Sequence, residues 1–314
     1  MTTEKRPLQY GMIGCGMMGQ EHVRNMKLLD SVELTHAYEP DEGMRTQMKQ
    51  RVPSIQFHES IEALLRETEV DAWVIASPNF RHAEQLELIS NLQPKPTLVE
   101  KPLCVSAEEA ESMLGAAKES GSILQVGHIE HYNPVMAFLE EKVEQPRYLT
   151  VERLAPFQPR GTEVGVVLDL MIHDIGIVMA LISSPIRKVD AIGVRVLSPT
   201  EDIANARLVF ENGCVANLSA SRVSEKKARE IRVFQDSGYL SLDFMNQKGH
   251  LIRKAGGELE KNEVPVEKGE PLALELRAFV ECVREASTPK TDGVFGKSAL
   301  EVALAVTKQI QSAW

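Results

Sequence analysis

Along the first 126 residues, short apolar runs alternate with stretches whose apolar positions recur every three or four residues. The runs at 8–13, 33–38, 72–76, 97–99 and 123–126 have the length and character of strands. The stretches at 19–30, 41–52, 60–68, 81–92 and 106–120 carry helical spacing. Strand and helix in strict alternation predict a parallel, doubly wound α/β sheet. The runs are nearly continuous in apolar character, as strands covered on both faces require.

After Asn133–Pro134 the period changes. Runs at 148–154, 189–197, 205–210, 214–223, 230–235 and 239–244 are half-alternating, the mark of a mainly antiparallel open sheet. Glu211-Asn212-Gly213 and Asp236-Ser237-Gly238 read as tight turns between them. One strongly apolar helix, 165–182, is embedded among these strands, and helices at 271–286 and 296–312 close the chain. The expected division is a parallel α/β domain at 1–126 and an α+β domain at 127–314, whose last helix can pack back on the first domain.

Composition narrows the class. The 314 residues are 43% hydrophobic and 25% charged, an ordinary globular mix that excludes wholesale disorder. Lys and Arg number 35 against 45 Asp and Glu, a net charge of −10, which argues against a nucleic-acid-coating surface. The apolar stretch 166–182 is interrupted by Asp169, His173 and Asp174, so no membrane span is expected, and the first residues have no apolar secretory core. Cys15, Cys104, Cys214 and Cys282 lie far apart with no CxxC pair, which points to reduced thiols in a cytoplasmic protein. No His, Cys, Asp and Glu cluster has ligand spacing, so no metal is expected.

Three motifs carry chemistry. Gly14-Cys15-Gly16-Met17-Met18-Gly19 follows the first strand and opens the first helix. The next strand ends at Glu39, 20 residues past Gly19, which completes the Rossmann dinucleotide fingerprint in its required context. Gly14 permits the turn, Gly16 admits a pyrophosphate, and Gly19 lets helix and strand pack closely. Glu39 suits ribose hydroxyls and repels a 2′-phosphate, favouring NAD over NADP; Arg45 is the one nearby counter-argument. Glu100-Lys101-Pro102 follows the strand at 97–99, at the edge where ligands of open parallel sheets bind. Lys101 is there either a crevice residue or a solvated surface lysine. Asp169 and His173, four apart on the apolar helix, share one face. They are either a proton-transfer pair or a buried contact that orders the core. Ser77-Pro78-Asn79 with His82 follows the strand at 72–76 and faces the cofactor unless it is a plain turn. His128, His131, Tyr132 and Asn133 lie at the domain crossing, as substrate contacts or as hinge residues. Arg153, Arg160 and Arg222 are anion candidates or surface residues.

Taken together, GCGMMG, ASPNxxH, VEKPL, GHxxxYNP and LDLMIHD, in that order, resemble the glucose–fructose oxidoreductase/inositol dehydrogenase/rhizopine catabolism family of NAD(P)-dependent oxidoreductases. The resemblance covers essentially the whole chain. It implies that Lys101, Asp169 and His173 form the catalytic set. It also implies cofactor contacts from Gly14, Gly16, Met17, Met18, Gly19, Glu39, Ser77, Pro78, Asn79, His82, Glu100 and Lys101. Substrate contacts would come from His128, Tyr132, Asn133 and Arg160, and the second domain's sheet would form a homo-oligomer. Many sugar-oxidising members carry a glycine pair before the aspartate, whereas this chain reads Gly165-Val166-Val167-Leu168-Asp169. The stretch from Arg153 to Val178 looks more like the subgroup acting on UDP-N-acetylglucosamine, whose sugar 3-hydroxyl is oxidised to a ketone; Arg160 would then meet the diphosphate. The expected activity is NAD-dependent oxidation of a secondary hydroxyl of a sugar or nucleotide sugar. Its alternatives are a cyclitol or free-sugar dehydrogenase, an enzyme that uses NAD transiently, and a non-catalytic NAD sensor or scaffold.

Overall fold

The computed structural model describes residues 6–158, 164–255 and 257–314. The first part of the chain runs β1 (Leu8–Ile13), α1 (Met17–Met26), β2 (Val32–Tyr38), α2 (Glu42–Arg51), β3 (Gln56–Phe57), α3 (Ile61–Glu67), β4 (Ala72–Ile75), α4 (His82–Leu92), β5 (Thr97–Glu100), α5 (Ala107–Ser120) and β6 (Leu124–Gly127). It continues through α6 (Pro134–Lys142), β7 (Tyr148–Leu154), α7 (Ile172–Leu181), β8 (Ile186–Val194), β9 (Ile203–Phe210), β10 (Val215–Ser221) and β11 (Ala228–Gln235). Then come β12 (Gly238–Asp243), β13 (Lys248–Ala255), β14 (Glu258–Glu263), α8 (Pro271–Glu285) and α9 (Gly293–Ser312). Contacts group Met1–Ile129 with Glu270–Ser298 and Glu130–Gly269 with Ala299–Trp314.

The first unit holds the expected doubly wound sheet, ordered β3-β2-β1-β4-β5-β6 with all pairs parallel. Strand order reverses between β1 and β4, which opens a crevice beyond the strands' carboxyl ends. The helices start where the sequence supplies caps. Asp41, Ser60 and Ser106 accept from the amides of Met44, Ala63 and Glu109 at the heads of α2, α3 and α5. Helix α8 adds Leu272, Leu276, Phe279 and Val280 to the core that contains Tyr10, Met12, Val23 and Met26.

The second unit is an eight-stranded sheet, β14-β13-β12-β11-β7-β10-β9-β8, antiparallel except for the β7–β10 pair. One face packs Leu149, Val151, Ala206, Leu208, Leu218, Ile231 and Val233 against α7 and against Ala303, Val306 and Ile310 of α9. Three details depart from the pattern-based reading. The helix expected at 165–182 opens as a π turn, Val167–Met171, before α7. Strands β13 and β14 form in a Lys- and Glu-rich stretch with no apolar alternation, because β13 pairs with β12 and β14 with β13. The sheet's other face is a mosaic rather than an apolar surface: Asn205 donates to Ser219, Arg207 to Asn217, and Asn217 to the Tyr148 hydroxyl.

Candidate active site and cofactor loop

In the first unit, the expected cofactor residues follow β1, β2, β4 and β5 at the carboxyl edge of the sheet. Gly14 has φ +92°, and a Cβ there would stand 2.6 Å from the Ser77 amide nitrogen. Gly16 differs: nothing lies within 4 Å of a Cβ built on it. It is also the N-cap of α1, and no side chain caps that helix. Whereas α2, α3 and α5 each begin with a capping polar side chain, α1 begins without one and presents the positive end of its dipole. A helix head of this kind, with an open glycine beside it, suits a phosphate.

Glu39 is buried, with Oε2 accepting from Cys15 N at 2.7 Å and Oε1 from Asp41 N at 2.9 Å. The carboxylate therefore ties the glycine loop to the end of β2, and each oxygen retains further acceptor capacity. Arg45, the residue that spoke for a 2′-phosphate, donates from Nη1 to the carbonyls of Glu39 and Pro40. Ser77 donates from Oγ to Gln85 at 2.6 Å. Pro78 precedes the turn Asn79–Arg81, its carbonyl accepting from Arg81 N, and Asn79 Nδ2 is buried with no partner among the described residues. Met17 is half-exposed beside the loop, while Met18 packs against the first unit's core.

His82 is a strut. Its Nδ1 faces Leu103 O at 3.1 Å and its Nε2 faces Ser77 O at 2.9 Å, so it braces the loops after β4 and β5. Burial draws its titration down, against the pull of both carbonyls. Lys101 stands one residue beyond β5, on the same edge as the glycine loop, and its peptide bond to Pro102 is cis. Its amide donates to Glu100 Oε2 at 3.2 Å. Glu100 is buried, with Oε1 2.7 Å from His22 Nε2, so its carboxylate is held from within the fold. His128 is fully buried, edge-on to Phe295 at 5.3 Å, and burial followed by cationic Lys101 pulls its titration down to about 4. It is buried rather than presented at the surface.

In the second unit, Asp169 lies half-buried on the π turn and His173 is buried in the first turn of α7. Beside them runs a buried ionic network. Arg153 donates from Nε to Asp174 Oδ1 at 2.9 Å and from Nη1 to Glu130 Oε1 at 2.9 Å, and Arg229 reaches Glu130 at 3.3 Å. Burial pushes Glu130 up, but Arg153 and Arg229 outweigh it and hold the carboxyl below its ordinary range. Asn133 caps α6 through Val135 N and donates to Glu130 and to Phe244 O. Its polar atoms thus serve the fold. Arg153 and Arg222 are both buried, and Arg222 is held by Asp202, Ser198 and Val164 O. Neither is a surface residue or an open anion contact, because each faces a carboxylate inside the unit. Tyr132 ends the turn Ile129–Tyr132. Arg160 lies outside the described residues.

His22, Glu275 and Glu130 carry no mark in the sequence motifs, and Asp174 shows there only as a break in an apolar helix. Two of them leave a trace. On α1, Gly19, His22, Val23 and Met26 follow the core spacing, and on α8 so do Leu272, Glu275, Leu276 and Phe279. An ionisable residue in phase with an apolar stripe is the signal.

A family model described as an oxidoreductase family with an NAD-binding Rossmann fold matches residues 8–128, and the corresponding GFO/IDH/MocA C-terminal domain matches residues 144–241. UDP-N-acetylglucosamine 3-dehydrogenase from Acidithiobacillus ferrooxidans is 31% identical over 97% of this chain and 98% of its own length. A solved structure of that enzyme aligns with TM-score 0.89 over 97% of this chain and 98% of the other. scyllo-Inositol 2-dehydrogenase (NAD(+)) from Bacillus subtilis is 26% identical over 96% of this chain and 93% of its own length.

Proposed function

The chain belongs to the GFO/IDH/MocA family of NAD-dependent oxidoreductases, and from that membership we propose that it oxidises a secondary hydroxyl of a nucleotide sugar, the 3-hydroxyl of UDP-N-acetylglucosamine. The geometry fits NAD: the uncapped head of α1, the open Gly16 and the buried Glu39 would hold it. Bound NAD supplies a hydride acceptor, and the protein supplies position and electrostatics. The observation that carries the reading is Lys101, one residue past β5 on the edge where that loop opens.

In this reading His173, in its neutral form, accepts the hydroxyl proton as the C–H bond breaks. Lys101 donates a hydrogen bond to the same oxygen and stabilises its developing negative charge. Asp169 orients the pair and balances the lysine's charge. Tyr132 and Arg160 are proposed substrate contacts, Arg160 toward the diphosphate. We further propose that the enzyme works in the cytoplasm, where its four free thiols stay reduced, as a homo-oligomer joined through the outer sheet face.

The test is the rise of reduced-cofactor absorbance with UDP-N-acetylglucosamine, myo-inositol, scyllo-inositol and glucose compared side by side. Turnover of the nucleotide sugar is expected, and Lys101→Met and His173→Ala should each cut kcat by about 10²–10⁴-fold with NAD affinity retained. Turnover of an inositol alone would favour the second reading, which rests on the Bacillus subtilis relative. Tight NAD binding with no turnover of any sugar would leave a sensor or scaffold.

A further inference from the structure

Behind Lys101 lies a buried polar set that the proposed chemistry does not use. His22 Nε2 and Glu100 Oε1 are 2.7 Å apart, with side chains only 0% and 5% exposed. Glu100 immediately precedes the lysine and also accepts from its amide. His22 sits on the helix that begins at the glycine loop, three residues past Gly19. From β6, Gly127 lies so close that a Cβ on it would stand 3.0 Å from Glu100 Oε2. Further back, Glu275 of α8 is fully buried, with neither carboxyl oxygen partnered among the described residues. Burial, and then the negative charge of Glu100, push its carboxyl well above the ordinary range.

Such a set is expensive. A buried ion pair is weak support for a fold, and apolar residues of similar size commonly serve stability as well or better. An unpartnered buried carboxyl is costlier still. Ionisable groups kept at that cost mark functional sites, and the group they surround is the strand end that carries Lys101.

We propose that His22 is a positioning residue for Lys101: its contact with Glu100 locks the strand end bearing the lysine to the helix that opens at the dinucleotide loop. The two halves of the first unit's site, the phosphate cradle and the lysine, are thereby held as one piece. The groups facing Glu100 are His22 from α1, Glu275 from α8, His82 at the head of α4, His128 past β6 and Lys101 itself. The inference rests on the reading of Lys101 as catalytic.

The experiment compares His22→Leu, His22→Gln and Lys101→Met well below each protein's melting temperature. One readout is kcat, KM and the pH profile of kcat with the sugar that gives turnover. A second needs no cofactor: the acylation rate of Lys101 relative to the other lysines, read by peptide mass spectrometry. His22→Leu should lower kcat by about 10- to 100-fold, the scale of a small misplacement, with KM little changed. It should also displace the pH profile and raise the relative acylation of Lys101. His22→Gln, which can still donate to Glu100, should recover most of both. Folded His22→Leu with wild-type kcat, pH profile and acylation overturns the proposal. Should His22→Leu fail to fold, Glu100→Met removes the other partner of the contact; an unchanged kcat and pH profile there overturns it equally. If Lys101→Met keeps full activity, the reading of the lysine itself fails and takes the proposal with it. If Lys101→Met is inactive and His22→Leu is not, only the positioning role falls.

Discussion

Glu275 shows what a single buried carboxyl does to the stability of the first unit. Its proton is held more tightly in the fold than in the unfolded chain, because burial and Glu100 both oppose its ionisation. The folded state therefore binds the extra proton, so this group's contribution is complete below the ordinary carboxyl range, near pH 4.5, and is lost as pH rises toward the folded value. His82 and His128 work oppositely: their titration is lowered, so they weaken the fold as pH falls below about 6.5. Glu275→Gln should flatten the alkaline side of the stability curve and leave the acid side alone. Melting temperatures from pH 5 to 9 check this, and parallel curves for the two proteins would sink it. Arg153 explains why such residues are hard to find in a sequence. It stands in phase with Leu149 and Val151 on the inward side of β7, so alternation marks it as buried. What makes the burial tolerable, Glu130 and Asp174, comes from the turn after β6 and from α7, which no local window brings together.

At the scale of elements, the loop from β1 into α1 was the most legible part of the chain, because each glycine answers a local demand. Gly14 adopts a left-handed φ of +92° and abuts the Ser77 backbone, while Gly16 has an ordinary φ of −62° and open space beside it. The fold needs the first; the second meets a demand that a bound ligand would make. Gly14→Ala should lower the melting temperature. Gly16→Ala should leave the cofactor-free protein's melting temperature unchanged yet weaken NAD binding by about tenfold or more, a loss of about 1.4 kcal/mol. Calorimetric titration beside thermal denaturation separates the two. Equal NAD affinity in Gly16→Ala would mean that the head of α1 does not hold the pyrophosphate. The helix bearing Asp169 and His173 was legible only in outline. Its apolar content marked it as buried, but a π turn over Val167–Met171 breaks the regular spacing from which one shared face was inferred. Two nearby features accompany that turn: a Cβ on Gly165 would collide with Glu201, and the Glu201 carboxylate in turn faces Val167 N at 3.4 Å. Glu201 is 34 residues away along the chain from Val167, beyond any local reading.

For the molecule as a whole, both sheets follow from hydrophobic period, and what the period conveys least is the eight-stranded sheet's uncovered side. Half-alternating strands predict one uncovered face, and that face is more varied than a uniformly apolar or polar surface. Tyr239, Phe234 and Tyr148 stack in one cross-strand row at 5.3 and 5.5 Å, continued in register by Val215 and Val209. The next rows are polar, and Asn205, Ser219, Arg207 and Asn217 bond to one another across the strands. At the β8–β9 edge the apolar residues return: Ile192 is 64% exposed, and the cross-strand partners Val194 and Ile203 are 49% and 38% exposed. An aromatic row with a polar rim matches the make-up of protein interfaces better than that of a free surface. The expectation is therefore a homo-oligomer at micromolar concentration, measured by sedimentation equilibrium. Phe234→Glu with Val209→Glu places two carboxylates on the aromatic–aliphatic row and should shift the mass toward the monomer, with the melting temperature of the first unit's transition unaffected. A monomeric mass for the unaltered protein defeats the idea outright. An oligomer untouched by the paired substitution moves the contact to the β8–β9 edge, where Ile192→Glu and Val194→Glu would then have to dissociate it.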